Sequence, residues 1–590
     1  MAGLFSNITI MKSRRLILAV FCIAFHLQSQ AQYYDGFRFN RYEYFKQFEG
    51  FTIENSIVHN GFEQVKLRDA DPKVVRALVK TYNFINRAVH RNSSVERLEE
   101  YKIVDEKIIV DAYQFEEWER IMRSNSFLTE LVYSIDVTDS SEQKANLDIF
   151  ATDGISIVPN LQFNSPEKYD ISLLENNLYG STNALGIAVY HDKFSKIEYA
   201  PSVDFTLRNP HANYVDYKFK LSSSDKSTTG GGRTANSLTV GAERPFISTY
   251  FKWQGSFTIN IQSNANYRNL VEFDSLFKYG TFSMDSWIGW HNPFMKRKVT
   301  KPNQWNFLFA LRNINRRFFT RPDYINPQNE HLLLNLYTVF SQVNFFKRKF
   351  DRYDYLFDLG RVEDIELGFN IRGGYAWGLR QENNSNYLGL ETQYIGAPGR
   401  DQYLDFSFKM GAYFEQKTWV DILNSCSILY SPRKTDLNKV AIRHFFTLIY
   451  SGLHDESLYP LLSVSGDNAL LHYKSNGFTG NNRFVLRVES FFNIKKSFLQ
   501  LKIAPLLSAQ MLLLNQSKDL HSQFHSAIST GFRLRHNQYS YQILDARFSF
   551  YPAYTFPGNN PRSFEIFLTV KSNFYNNIKL VSKPDFIYLY

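Results

Sequence analysis

Val215-Asp216-Tyr217-Lys218-Phe219-Lys220-Leu221-Ser222 places apolar side chains at every odd position and polar or charged ones at every even position. Successive side chains of a strand point to opposite faces, so this run predicts one apolar and one polar face. The alternation returns in Leu404-Asp405-Phe406-Ser407-Phe408-Lys409-Met410 and in Phe564-Glu565-Ile566-Phe567-Leu568-Thr569-Val570-Lys571, where Phe567 breaks it. A soluble sandwich would show the same pattern with its apolar face on a core, so number and length must decide. About eighteen candidate strands lie between Asn176 and Phe574, many of them ten residues or longer. Crossing a bilayer takes roughly 9–11 tilted residues per strand, against roughly 5–6 in a typical globular strand. A closed barrel is the form in which such strands leave no unpaired backbone facing lipid. Tyr190, Trp253, Trp290 and Trp377, near segment ends, are candidates for aromatic girdles at the two interfaces.

Composition agrees. Aromatic residues make up 16% of the 590-residue chain, charged residues 21%, and the mean hydropathy is -0.34, far too polar for a helical membrane protein. A barrel averages to such values because lipid-facing and interior-facing residues alternate. The net charge of +10 is spread along the chain and mostly interleaved with apolar residues, which excludes a nucleic-acid surface and suits interior, loop and headgroup-level charges.

The N-terminal residues read as an export signal. Lys12, Arg14 and Arg15 precede an apolar run from Leu16 to Leu27, and Ser29 and Ala31 supply a small-residue cleavage pattern. Residues 1–31 are therefore expected to be removed, with Met11 as an alternative start. The apolar run is too short for a membrane anchor, and no later stretch reaches the length of a spanning helix. Cys22 and Cys426 are the two cysteines, so the exported chain would carry one thiol and no internal disulfide.

Residues 45–160 differ in texture. After Asp71-Pro72, Val74, Val75, Leu78 and Val79 form a helical stripe, and Asp111 is a plausible N-cap for a helix presenting Phe115, Trp118, Ile121 and Met122. Strand-like runs surround them at 51–58, 131–137 and 147–156. A helix pair on a small sheet makes an α+β unit large enough for its own core. The segment from Val104 to Asp153 resembles a POTRA domain, the polypeptide-transport-associated module; an unrelated α+β plug or binding domain is the alternative.

A single POTRA-like domain followed by a barrel resembles the BamA/TamA/FhaC superfamily, also called bacterial surface antigen proteins. The likeness covers most of the mature chain and rests on particular runs: Asn177-Leu178-Tyr179-Gly180, Arg244-Pro245-Phe246 with Lys252-Trp253, and Gly360-Arg361-Val362-Glu363-Asp364 before Gly373-Gly374-Tyr375. The expected fold is mainly β: a transmembrane antiparallel β-barrel over residues 161–590, sixteen strands by resemblance and up to eighteen by count. Ahead of it come the POTRA-like periplasmic domain (45–160) and a linker (32–44). The family carries an Arg-Gly-Phe/Tyr triplet on a loop folded into the barrel, its Arg paired with an Asp on a wall strand. Here the loop before Arg483 aligns so that the triplet reads Leu471-His472-Tyr473, and the wall strand offers Ala509-Gln510-Met511 in place of Asp-x-Gly. Both charged partners are missing together, which fits an apolar or aromatic latch of Leu471, His472 and Tyr473 against Leu506, Ala509 and Met511. Arg487 and Glu489, two residues apart on one face, are candidate interior charges.

No Gly-x-Ser-x-Gly elbow, H-E-x-x-H helix or paired Cys/His set occurs, and His472 has no companion at metal spacing, so neither an enzyme nor a metal or cofactor protein is expected. The resemblance implies an outer-membrane barrel handling polypeptide insertion or transport, with lipid, unfolded polypeptides and other envelope proteins as partners. The alternative is a diverged, non-translocating barrel acting as structural partner or receptor in an envelope complex.

Overall fold

The computed structural model describes residues 41–587 except 62–90, 103–106, 166, 227–232, 250, 265–277, 294–303, 324–332 (but for Leu333), 334, 381–382, 456–460, 467, 472, 474–477, 498–499, 516–521, 538–541, 553–563 and 573–580. The export signal and the helical stripe after Asp71 lie outside the described residues. No helix among the described residues is long and apolar enough to cross a membrane.

The chain first builds a small unit: helix α1 (Arg41–Lys46), strand β1 (Thr52–Gly61), helices α2 (Val95–Glu99) and α3 (Ala112–Arg123), then strands β2 (Leu128–Asp139) and β3 (Lys144–Asp153). Strand β3 lies in the middle, parallel to β1 and antiparallel to β2. Helix α3 begins where the sequence predicts, because the Asp111 carboxylate accepts the Gln114 N–H at 3.0 Å and so satisfies one of the orphan donors of the first turn. Its Phe115, Trp118, Ile121 and Met122 are buried with Leu131, Tyr133, Leu147 and Ile149 of the sheet. Each such side chain contributes about 1.5–3 kcal/mol, and Phe115→Ala would cost about 3–5 kcal/mol through the cavity it leaves. The unit starts earlier than expected. Helix α1 falls partly in the presumed linker 32–44, and it is ordered by burial of Phe45 and of Arg41 against Glu119.

Among the described residues that follow, twenty-one strands form one closed barrel, of which Thr435–Asp436 is only two residues long. The strand Phe564–Ser572 lies beside Ile157–Ser165 to close it. The sixteen strands expected by resemblance are too few. Eighteen of the longer strands follow Asn176, as counted from the sequence, and two more, Ile157–Ser165 and Lys168–Glu175, precede it. Those two lack a clean alternation, and only three residues separate the first of them from β3, so no change in composition marks where the barrel starts.

Alternation sets the two faces. Tyr217, Phe219, Leu221, Met410, Ile566 and Leu568 are exposed on the outside, within a band of outward apolar residues around the wall. Phe567 is buried and points inward, which accounts for the broken pattern in its strand. Trp253 and Trp377 are exposed as a girdle requires, and Trp290 pairs in register with Trp253. Tyr190 does not belong with them. Ile187 and Val189 occupy the outward face of its strand, so Tyr190, one position out of phase, is buried with its hydroxyl 3.4 Å from Asp192.

Candidate functional site

Two regions of the barrel gather polar groups in a pattern the fold alone does not require: the mouth against which the small unit sits, and the interior.

At the mouth, α3 is tied to the wall by charge. Arg123 donates to Asp364 from both Nε and Nη2, at 2.7–2.9 Å. Glu117 accepts from Arg348 at 3.1 Å, and Glu119 from Arg352 at 3.1 Å. The same groups reach back into the unit: Glu119 accepts from Arg41 at 2.7 Å and Arg123 at 2.7 Å, Arg123 also donates to the Leu131 carbonyl, and Arg41 to that of Tyr133. With the Tyr44 hydroxyl accepting the Ile135 N–H, these contacts cap the outer edge of β2. Burial beside Glu117 and Glu119 raises the Glu116 carboxyl from 4.5 to about 7, whereas Arg120 and Arg348 outweigh burial at Glu117 and hold it below its ordinary value.

Parts of three runs that carry the resemblance, at 177–180, 244–246 and 360–364, meet here. Asn177 donates to the Arg91 carbonyl at 3.1 Å and Ser93 Oγ at 3.0 Å, and Ser94 N–H reaches the Gly180 carbonyl at 2.9 Å. Gly180 has φ +76 and lies so close to Asn92 that a Cβ would sit 2.3 Å from its carbonyl oxygen, which only glycine permits. Glu363 accepts N–H groups from Leu356, Phe357 and Asp358, turning the hairpin that presents Asp364 to Arg123. Phe246 packs edge-on against Phe346 and under Arg348, whose guanidinium lies 4.5 Å from its ring centre. A cavity of about 420 Å³ opens between α3 and this wall, lined by Arg120, Arg123, Phe246, Phe350, Asp364 and Val581 among others.

In the interior, the loop between His454 and Asn482 folds inward. Leu462–Ser463 pairs with Thr479–Gly480, and Leu462, Val464, Ala469, Leu470 and Tyr473 are all buried. Tyr473 packs edge-on against Tyr551, with ring centres 5.2 Å apart. His472 lies outside the described residues. The wall partners differ from those expected. In the strand Leu501–Asn515 the buried positions are even: Leu506, Ser508, Gln510, Leu512 and Leu514. Ala509 and Met511 are on the opposite face, since a strand cannot turn both parities inward. Leu506 does point inward but packs with Phe445 and Phe491, in a cluster separate from the loop. Gln510 makes the polar contact with the loop, its Oε1 accepting the Leu471 N–H at 3.0 Å and the Arg487 Nε–H at 3.3 Å, and Leu512 and Leu514 join the loop's apolar cluster.

Arg487 also donates to the Ala469 carbonyl at 2.8 Å, and Arg483 to that of Ser463 at 2.6 Å. The loop is thus held by apolar burial together with wall arginines on its backbone. Glu489, on the same face as Arg487, goes elsewhere: it accepts from Arg547 at 2.8 Å, which pairs with Asp545, which pairs with Arg533. The parity that Gln510 shares with Leu506 is legible in the sequence, whereas its place opposite Arg487 is set by the register of the two strands.

Residues beyond the last described wall strand also occupy the interior. Asp585 accepts from Arg312 at 2.8 Å, Phe586 packs among Phe340, Tyr387 and Tyr413, and Ile587 joins the apolar cluster of Leu470 and Tyr473.

The chain is similar to CdiB and to BamA. CdiB from Acinetobacter baumannii is 11% identical, with 95% of this chain and 97% of that chain covered and a TM-score of 0.39; CdiB from Escherichia coli gives the same values. BamA from Haemophilus ducreyi lacking POTRA domains 1-3 is 8% identical, with 88% of this chain and 100% of that chain covered and a TM-score of 0.31. No protein-family model and no curated protein matches the sequence.

Chemically, the interior offers charged and aromatic side chains that are already paired with one another. Among the described residues no group of three His, Cys, Asp or Glu could hold a metal ion. The arrangement is suited to holding polypeptide backbone, as it does with its own loop.

Proposed function

We propose that the protein is an outer-membrane barrel that receives polypeptides at the mouth bearing the small unit and handles their insertion into, or transport across, the membrane. The small unit acts as a POTRA-like periplasmic domain, lipid covers the outward apolar band, and no reaction is catalysed. The observation that carries this reading is the docking of α3 on Asp364, Arg348 and Arg352 beside a cavity of about 420 Å³, which puts a sheet with an edge strand next to the barrel opening. Edge strands bind extended chains through backbone hydrogen bonds. On β2 that would require Arg41, Arg123, Glu119 and Tyr44 to leave the edge they cap.

The test is reconstitution in liposomes with an unfolded outer-membrane barrel protein added from outside. Protein-dependent acquisition of protease resistance by the added chain supports the proposal. Insertion at the rate of empty liposomes overturns it and favours the second reading, a structural partner or receptor. That reading draws on the loop and the segment 581–587 filling the interior.

A further inference from the structure

Residues 582–587 lie in no helix or strand, yet they are held at nearly every step. The segment climbs the inner wall. Val581 belongs to a cluster with Phe346 near the mouth, whereas Phe586 packs on Phe340 of the same strand, with ring centres 5.3 Å apart. Ser582 Oγ accepts from Arg372, and Lys583 Nζ lies 3.4 Å from Asp285. Two contacts are to main chain: Arg312 Nη1 donates to the Pro584 carbonyl at 2.7 Å, and the Ile587 N–H donates to the Tyr387 hydroxyl at 2.9 Å. Two more are to side chains, beyond those of Ser582 and Lys583: Arg312 with the Asp585 carboxylate at 2.8 Å, and the aromatic box around Phe586.

Arg312 is built for this. Asp285 engages its Nε and Nη2 at 2.7 Å each, which fixes the guanidinium plane and leaves Nη1 for the segment. Main-chain contacts of this kind serve any extended chain; the Arg312 and aromatic contacts add a preference for an acidic residue followed by an aromatic one. We propose that the inner wall around Arg312 and Tyr387 is a binding site for an extended polypeptide bearing an acidic-aromatic pair, and that residues 581–587 are its resident occupant. This rests on the polypeptide-handling reading above. An occupant tethered to the barrel competes at an effective concentration near the millimolar range, so an incoming chain must displace it before it can use the site. Ile587 adds a link, because the occupant and the inward loop share one apolar cluster.

The experiment uses the full chain in planar bilayers. In Asp585→Asn/Phe586→Ala the occupant loses its acidic and aromatic contacts while the wall is untouched. Its conductance should exceed that of the unaltered protein, and a synthetic heptapeptide Val-Ser-Lys-Pro-Asp-Phe-Ile should block it. A peptide with Asn and Ala at the acidic and aromatic positions should bind at least about tenfold more weakly, as expected for loss of one charge-assisted hydrogen bond. Adding Arg312→Gln should abolish the block. Unchanged conductance together with no saturable peptide binding overturns the proposal. Should the double variant not fold, a Phe340→Cys/Phe586→Cys pair in a Cys426→Ser background serves instead: conductance must rise when the cross-link is reduced and stay low while it is intact, and indifference to reduction overturns the proposal. Peptide block in a protein that inserts nothing into liposomes would leave the site standing and remove the polypeptide-handling reading.

Discussion

Glu119 is the residue on which the small unit and its docking both depend, and replacing it with Ala is the most informative single perturbation. Its carboxylate is 1% exposed and accepts from Arg41, which is 3% exposed. The two outer partners are insured: Arg123 and Arg352 keep Asp364 when Glu119 is removed. Arg41 also donates to the Tyr133 carbonyl and lies over the faces of Tyr44 and Phe45, contacts that do not neutralise its charge. Breaking a buried pair on one side costs about 3–5 kcal/mol, because the remaining charge stays desolvated. A domain has about 5–15 kcal/mol of stability, so the loss is about a fifth of it or more. Trp118, the sole tryptophan before Trp253, is buried beside this network and reports unfolding of the unit in a urea titration in detergent, while the barrel tryptophans supply a constant background. The double variant Arg41→Met/Glu119→Leu removes both charges and should recover at least half of the loss. A cost below about 1 kcal/mol for Glu119→Ala, or a double variant as unstable as the single, would refute the account of a desolvated pair.

Three further outcomes follow from the same structure. Because Glu116 titrates at about 7 in the folded unit and at 4.5 unfolded, the folded state binds more protons between those values; stability from this group is full below 4.5 and lost as pH rises through 7, so Glu116→Gln should flatten the difference between denaturation midpoints at pH 5 and pH 8. An unchanged pH dependence in the variant would assign it to other groups. Phe406→Lys should reduce folded, heat-modifiable barrel far more than Ser407→Lys, by up to ~2–4 kcal/mol near the midplane, since Ser407 shares the inner face with Ser427 at 2.8 Å. Arg487→Met should free the loop, raising protease cleavage between 461 and 480, because the Ala469 carbonyl and Gln510 lose their donor; cleavage at the rate of the unaltered protein would show that apolar burial alone holds it.

Much of this protein follows from local rules that act within one strand or one helix turn. The parity of Tyr217, Phe219 and Leu221, the eighteen strands after Asn176 and the capping of α3 by Asp111 are properties of neighbouring residues, and period and capping chemistry read them directly. Parity also held the answer at the latch: Gln510 shares the inner face with Leu506, and Ala509 and Met511 could not join them. What local rules cannot supply is which inward residues meet. Arg123 and Asp364 are 241 positions apart, and Arg312 and Asp585 are 273 apart. Their encounter depends on the number of strands closing the barrel, on where the small unit docks, and on the course of the segment after the last wall strand. Each of those is settled by closure of the whole sheet, which brings together side chains whose own surroundings in the sequence say only that they are polar and face inward.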